Sequence, residues 1–482
     1  MDRYTTENKF SRCTNSPTET CKKVYFTLLA RLRFRWLMLE GRFAEALAVV
    51  DRRNVATADE QAIALHRLGC YRSVTALDFE PLSTPAVVAV AASLAACAKP
   101  HDAAALLHDA RARGAVGGRS LQAAVRAVAP FHVGLAAELA ADLAGSPGLK
   151  AAVLAATGRH DEARGIVEHA IQRNSAPRDH DLLLLASNFV AEPAERTRLL
   201  NAHLAAHGLT PARVNSEFDI LNPMTARSTV PPATVTGPLV SVIMPAYNAE
   251  ERIGPAIASL LRQTYRDLEI IVVDDASTDD TVAVAQNAAA GDRRMRVLRL
   301  QQNGGPYVAR NCALATANGV FVTCHDSDDW AHPERIARQV LPLLRFPWLI
   351  CTTSNWVRST DEGLFYARPV YPLCRLNPAS PLFRREAVVA RMGGWETVRT
   401  GADSEFLARL KLAFGPLSWR RVRRTLTLGA HRPGSLMTDP MTGMDTGAIN
   451  RERLDYWETW SARHRRILHA TGPDRFAIGA HT

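Results

Sequence analysis

The sequence is short of lysine, of paired cysteines and of long apolar runs, and each absence removes a class of protein. Its 8 cysteines are scattered with no C-x-x-C pair. Neither a zinc site nor a disulfide framework is therefore indicated, and reduced thiols in a cytosolic protein are expected. No apolar run approaches the ~20 residues needed to cross a bilayer. The first residues also lack the basic, apolar and small-residue succession of a signal peptide. Lysine is confined to a few positions such as Lys22, Lys23 and Lys411, so the formal charge of +10 is carried almost wholly by arginine. No basic patch interleaved with aromatics and no nucleic-acid module accompanies that charge, so no nucleic-acid partner is expected. G-x-G-x-x-G and G-x-x-x-x-G-K-[ST] are both missing, which sets aside a dinucleotide fold and a phosphate-loop enzyme.

At 482 residues the chain exceeds one ordinary core. Residues 1–20 are polar and read as a disordered N-terminus. Residues 21–210 are Ala/Leu-rich and read as an α-helical repeat-like domain. GRFAEAL from Gly41, GCYRSVTAL from Gly69, KPHDAAALL from Lys99 and GRHDEARGIV from Gly158 recur at roughly thirty residues. Further copies are expected near Ala129 and Ala191. A turn, then a small residue, then Leu or Val suits stacked helical hairpins, and the pattern resembles a tetratricopeptide-type array. Residues 22–40, basic and apolar together, read either as the first core helix or as a membrane-surface helix. Residues 211–238, with Pro211, Pro223, Pro231, Pro232 and Pro238, read as a linker.

Beyond the linker the pattern changes. LVSVIM (239–244, ended by Pro245), LEIIVV (268–273), RVLRL (296–300) and VFVTC (320–324) are apolar strand candidates. Helical spacing falls between them over 250–264, after Thr278 as a candidate N-cap, and over 306–317. This alternation predicts a parallel sheet covered on both faces, with ligands beyond the strands' carboxyl ends. Polar clusters fall there: Pro245-Ala-Tyr247-Asn248, Asp274-Asp275, Asn303-Gly304-Gly305 leading to Arg310, and Asp326-Ser-Asp328-Asp329. In extended backbone Asp326 and Asp328 would share a face. Crowded carboxylates repel unless a cation offsets them, and oxygen ligands of this kind suit Mg²⁺ or Mn²⁺.

VSVIMPAYNAEERIGPAIASLLRQTYRDLEIIVVDDASTDDT, NGGPYVARNCALATANG and HDSDDWAHPERI together resemble the family 2 glycosyltransferases of the GT-A fold. The resemblance is close over 239–340 and weaker to about 435. It implies an α/β, Rossmann-like GT-A domain over 239–440 behind the helical repeats, with a C-terminal helical tail over 441–482. It further implies an inverting hexosyl- or N-acetylhexosaminyl-transferase that uses a nucleotide-diphosphate sugar, commonly a UDP-sugar, and a divalent metal (Mn²⁺ or Mg²⁺). By the same resemblance Pro245, Tyr247 and Asn248 line the nucleotide pocket. Asp274 and Asp275 meet the base or ribose, and Arg310 lies near the diphosphate. Asp326-Ser-Asp328 matches D-x-D and would hold the metal, and Asp329 either faces the sugar or caps a turn.

GGWETVRTGADSEFLARL (393–410) matches the family's acceptor-side acidic motif, except that Ala402 stands where the first acid is usual. The base is then Asp403 or Glu405, with a helix N-cap the alternative role for Asp403. Trp395 is a candidate sugar-stacking residue or a core tryptophan. In HRPGSL, His431 is a candidate metal or diphosphate contact and Arg432 a candidate for neutralising the leaving group. The processive Q-x-x-R-W signature is absent, which favours adding one or a few sugars.

The acceptor would be a glycan or lipid-linked intermediate in cell-surface polysaccharide synthesis. The protein would be cytoplasmic, with peripheral membrane contact and a protein partner on the repeats. The alternative is a helical-repeat scaffold with a degenerate transferase domain. A nucleotidyltransferase would need a glycine- and lysine-rich loop that is missing.

Overall fold

A computed structural model describes residues 17–173, 179–213, 224–225, 234–438, 443 and 449–471. Twelve helices come first: α1 (Pro17–Leu39), α2 (Phe43–Arg52), α3 (Ala58–Arg67), α4 (Tyr71–Thr75), α5 (Thr84–Ala96), α6 (Pro100–Ala112), α7 (Gly118–Val128), α8 (Val133–Ala140), α9 (Pro147–Ala156), α10 (His160–Gln172), α11 (Asp181–Ser187) and α12 (Pro193–Ala206). They pack as six consecutive pairs, and each repeat signal of the sequence falls on the turn inside a pair. Such a turn requires left-handed backbone, which glycine adopts without steric cost. Gly41 (φ 70°), Gly69 (φ 78°) and Gly158 (φ 83°) supply it, and in the third pair Ala98 takes the conformation at φ 59°. Five positions after these turns stand Ala46, Val74, Ala103 and Ala163, all buried, where small side chains let the paired helices approach. The sixth pair departs from the pattern. Arg196 occupies that position and donates to the carbonyl oxygens of Glu362 and Gly363.

The core-helix reading of residues 22–40 describes one face of α1. Phe34 and Leu37 are buried, whereas Tyr25, Leu28, Leu32, Trp36 and Leu39 are exposed along the other side.

Two short strands, β1 (Ala212–Arg213) and β2 (Met224–Thr225), pair antiparallel within the stretch read as a linker. Residues 214–223 and 226–233 of that stretch lie outside the described residues, as do 1–16, 439–442, 444–448 and 472–482.

The remaining strands form one sheet: β3 (Val240–Ala246), β4 (Leu268–Asp274), β5 (Met295–Arg299), β6 (Phe321–Cys324), β7 (Trp330–Ala331), β8 (Cys351–Ser359), β9 (Phe365–Tyr366), β10 (Arg375–Leu376), β11 (Leu382–Arg384) and β12 (Trp419–Ala430). Its order is β5-β4-β3-β6-β11-β8-β12-β7, with β9 and β10 on β8. The first four strands are parallel, as their unbroken apolar runs predict. The sheet then becomes mixed, because β11 runs antiparallel to both β6 and β8. Strand β3 continues through Pro245, where the sequence suggested an end. Its pairing with β6 stops at Ile243, so the missing proline N–H leaves no ladder bond unmade on that side.

Helices α13 (Ile253–Leu261), α14 (Thr281–Ala289) and α16 (Arg335–Arg345) cover one face. Helices α15 (Pro306–Thr316), α17 (Arg385–Met392) and α18 (Ala402–Phe414) cover the other. Thr278 is not a cap. Helix α14 begins at Thr281, whose N–H is accepted by Asp279 Oδ1 at 3.1 Å.

The helical array is not a separate globule. Leu149, Leu204 and Leu209 share one apolar cluster with Trp330, Val357, Phe365 and Leu426 of the sheet unit. Helix α19 (Arg451–Thr471) closes the described chain.

Candidate active site

The loop after β3 is stitched to the loop after β4. Asn248 sits at φ 47°, a conformation asparagine tolerates better than most residues. Its N–H donates to Ser277 Oγ at 3.0 Å and its Oδ1 accepts from Thr278 N–H at 2.9 Å. Ala249 N–H donates to Thr281 Oγ1 at 2.7 Å. This arrangement leaves Tyr247 half exposed, while Pro245 is buried in the strand. An open pocket of about 240 Å³ lies beside the loop, lined by Asn248, Glu250, Arg252, Asp279 and Arg432 among others.

Asp274 ends β4 and Asp275 follows it, and both are buried. Asp274 Oδ1 accepts Ser277 N–H at 3.1 Å. Asp275 accepts Gly304 N–H at 2.8 Å on one oxygen and Gly305 N–H at 2.7 Å on the other. The Asn303-Gly304-Gly305 stretch thus reads as a backbone cradle for Asp275. Gly305, at φ 87°, turns the chain directly into α15, which carries Arg310.

Arg310 is buried and reaches Asp326 Oδ1 at 2.8 Å. Residues 326–329 form a turn and not a continuation of β6, so Asp326 and Asp328 do not share the face of a strand. Instead the turn gathers all three carboxyls, closed by Asp329 N–H to Asp326 O at 3.2 Å. Asp328 accepts from Arg432 Nε at 3.3 Å. Asp329 Oδ1 accepts Ala430 N–H at 3.1 Å, which ties the turn to the end of β12. Burial raises the pKa of Asp328, and the Asp326 charge adds to it against the pull of Arg432 and Arg358. Burial likewise pushes Asp329 well up, reinforced by Asp328 and Asp326. Such buried negative charge is what a bound cation offsets, and hard carboxylate oxygens fit Mg²⁺ or Mn²⁺. His431 follows directly, its ring stacked on Tyr366 at 4.0 Å and 12°.

Asp403 lies in the first turn of α18. The N-cap is Gly401 at φ 86°, so Asp403 does not fill the capping position. Its oxygen accepts Ser404 N–H at 2.8 Å, and its charge acts on Tyr307, Arg310 and Arg453.

Glu405, the other expected base, is fully buried and faces α19. It accepts from Arg409 Nε at 2.8 Å and lies 2.9 Å from His464 Nε2. Although burial works to raise its pKa, the His464 hydrogen bond and the Arg409 charge hold it below the usual carboxylate range. With no exposed oxygen it cannot meet an acceptor, and its place is that of a packed ion pair. Trp395 is likewise a core residue. It stacks on Phe406 at 4.6 Å, and its backbone is held by Asn311, so no face is left for a sugar.

Asp326, Asp328, Asp329 and Asp403 therefore form one interacting set with Arg310, Arg358, Arg432 and Arg453. Arg358 and Arg453 are absent from the sequence reading. Arg358 sits in the apolar-flanked strand β8 and Arg453 on α19, and neither belongs to a motif.

Comparison with known proteins adds the following. Residues 241–386 match the family model described as glycosyl transferase family 2. An uncharacterized glycosyltransferase of Haemophilus influenzae is 36% identical over 126 residues, which are 26% of this chain and 50% of that protein. The succinoglycan biosynthesis protein ExoO of Rhizobium meliloti is 40% identical over 110 residues, 23% of this chain and 31% of that one. The chain thus spans half or less of the length of these relatives. Among solved structures, a fragment of S. aureus TarS in complex with UDP-GlcNAc is 22% identical with a TM-score of 0.39, covering 48% of this chain and 67% of that one.

Proposed function

We propose, from the premise that residues 241–386 belong to glycosyl transferase family 2, that this chain is an inverting glycosyltransferase. It moves a hexosyl or N-acetylhexosaminyl group from a nucleotide-diphosphate sugar, a UDP-sugar first among them, to a glycan or lipid-linked acceptor. The observation that carries the reading is the single set of four carboxyls and four guanidiniums at one sheet edge.

In this reading the loops at Tyr247–Asn248 and Asp274–Asp275 receive the nucleoside. Asp326 and Asp328, with His431 beside them, hold Mn²⁺ or Mg²⁺, and Asp329 orients the turn. When bound, the cation supplies positive charge where the diphosphate leaves. Arg432 and Arg310 flank that position and add guanidinium charge to it. The acceptor oxygen attacks the anomeric carbon as the bond to the β-phosphate oxygen breaks. Its proton passes to Asp403, a half-buried carboxylate beside Tyr307. One displacement inverts the anomeric centre.

The exposed apolar face of α1, with Arg33 and Arg35 exposed on the same helix, supports contact with an anionic membrane surface where a lipid-linked acceptor would lie. No helix among the described residues is long and apolar enough to cross a membrane. The remaining hairpin surfaces are available to a protein partner.

The test is turnover of UDP-, GDP- and TDP-sugars with Mn²⁺, with and without chelator, in the native chain and in Asp328→Asn. Chelator and substitution should each reduce turnover at least a hundredfold while the variant keeps its melting temperature. A folded Asp328→Asn protein with undiminished activity would overturn the reading.

A further inference from the structure

We propose that His203, His207 and Cys374 form a zinc site that fastens the helical array to the sheet. The sequence offers no zinc signature, because the ligands come from stretches far apart. His203 lies on the last turn of α12 and His207 caps that helix four residues on, and Cys374 lies between β9 and β10. Among the described residues, His203, His207 and Cys374 bring their ligand atoms within 4.8 Å of one another.

Both imidazoles are oriented as metal ligands are. His203 Nδ1 faces the His180 carbonyl oxygen at 3.1 Å, so Nδ1 carries the proton and Nε2 presents its lone pair inward. The His207 ring meets the Arg423 backbone, and its Nε2 is buried with no hydrogen-bond partner. A backbone acceptor on the far nitrogen is the usual support for a ligating histidine. His203 Nε2 and Cys374 Sγ both touch Thr425 Oγ1, at 2.8 and 3.0 Å, so they already converge on one point.

Two imidazole nitrogens and a thiolate suit zinc better than Mg²⁺ or Mn²⁺, which separates this site from the aspartate turn. Zinc would draw the three atoms to roughly 3.3–3.6 Å apart, a contraction of about 1 Å, with water in the fourth position. On binding, the Cys374 thiol gives up its proton to solvent as the S–Zn bond forms. The buried His207 Nε2 gains the partner it lacks. The site would join the C-terminal end of α12 to the segment before β10, across the seam between the two units.

The full-length protein, stripped with chelator and dialysed, is titrated with Zn²⁺ in excess Mg²⁺, and zinc is counted by mass spectrometry. One zinc per chain is expected, falling at least tenfold in Cys374→Ser and in His207→Gln. Co²⁺ should give a near-ultraviolet thiolate-to-cobalt band that Cys374→Ser lacks. This readout needs only the native chain if a variant fails to fold. Absence of both the zinc equivalent and the cobalt band in the native chain would overturn the proposal. So would full zinc retention in both variants.

Discussion

Arg310 and Asp326 meet at 2.8 Å, the guanidinium almost wholly buried and the carboxylate about one-third exposed (4% and 34%). The buried cation is thus anchored by a group that still reaches solvent and ligand. Two further guanidinium nitrogens of Arg310, Nε and Nη1, are buried without hydrogen bonds. They are donors held ready, and leaving them unmade is costly until an acceptor arrives.

Arg310→Lys keeps the charge but loses the planar fork. We expect turnover to fall about 10–100-fold, equivalent to about 1.5–3 kcal/mol for a charged hydrogen bond. Steady-state kinetics on a variant of unchanged circular dichroism is the check.

Asp403 and Glu405 should separate cleanly. Asp403→Asn is expected to lower kcat by about 10²–10⁴, the span of a general base, with no loss of melting temperature. Glu405→Gln should do the reverse. It leaves Arg409 and His464 beside a neutral partner in the core and should cost about 3 kcal/mol of stability. Chemical denaturation and kinetics on the same two samples decide between them.

Asp275→Asn replaces one of two acceptor oxygens with an N–H₂ that opposes Gly304 N–H or Gly305 N–H. The cradle should open at a cost of about 2 kcal/mol. KM for the nucleotide sugar should rise more than kcat falls, since the loop lies on the binding side.

Acid should weaken the helical array through His66. Burial holds its pKa at about 4, against 6.5 in an unfolded chain. The unfolded state then binds the proton first, so stability is full above pH 6.5 and is lost as pH falls towards 4. His66→Gln should remove this dependence, changing the loss between pH 7 and pH 5 by on the order of 1 kcal/mol, given the ring's partial exposure. Urea denaturation at the two pH values measures it.

The parallel half of the sheet was legible because β3, β4 and β6 are short apolar runs buried on both faces and separated by helical spacing. The α/β sheet expected beyond the helical stretch holds for the same reason. The hairpin turns were legible because left-handed backbone selects glycine at Gly41, Gly69 and Gly158. Strand β12 was not. WRRVRRTLTLGA mixes charge and apolar residues because only its second half is buried. The two acids of α18 stand two residues apart on a helix and point to opposite sides. Their surroundings differ because α19 packs on Glu405, and the sequence of α19 says nothing of where it packs. Arg358 and Arg453 reach the site through tertiary packing alone, so no local pattern marks them.

Helix α19 grips the molecule at both ends of its path. Arg465 pairs with Asp51 at 2.7 Å, Trp457 donates to the Leu68 carbonyl at 2.6 Å, and Glu458 accepts from Arg72 N–H at 2.7 Å. On its other side, His464 and Tyr456 hold Glu405 and Glu396. One helix therefore joins the first two hairpins to the helix bearing Asp403 without passing through the sheet.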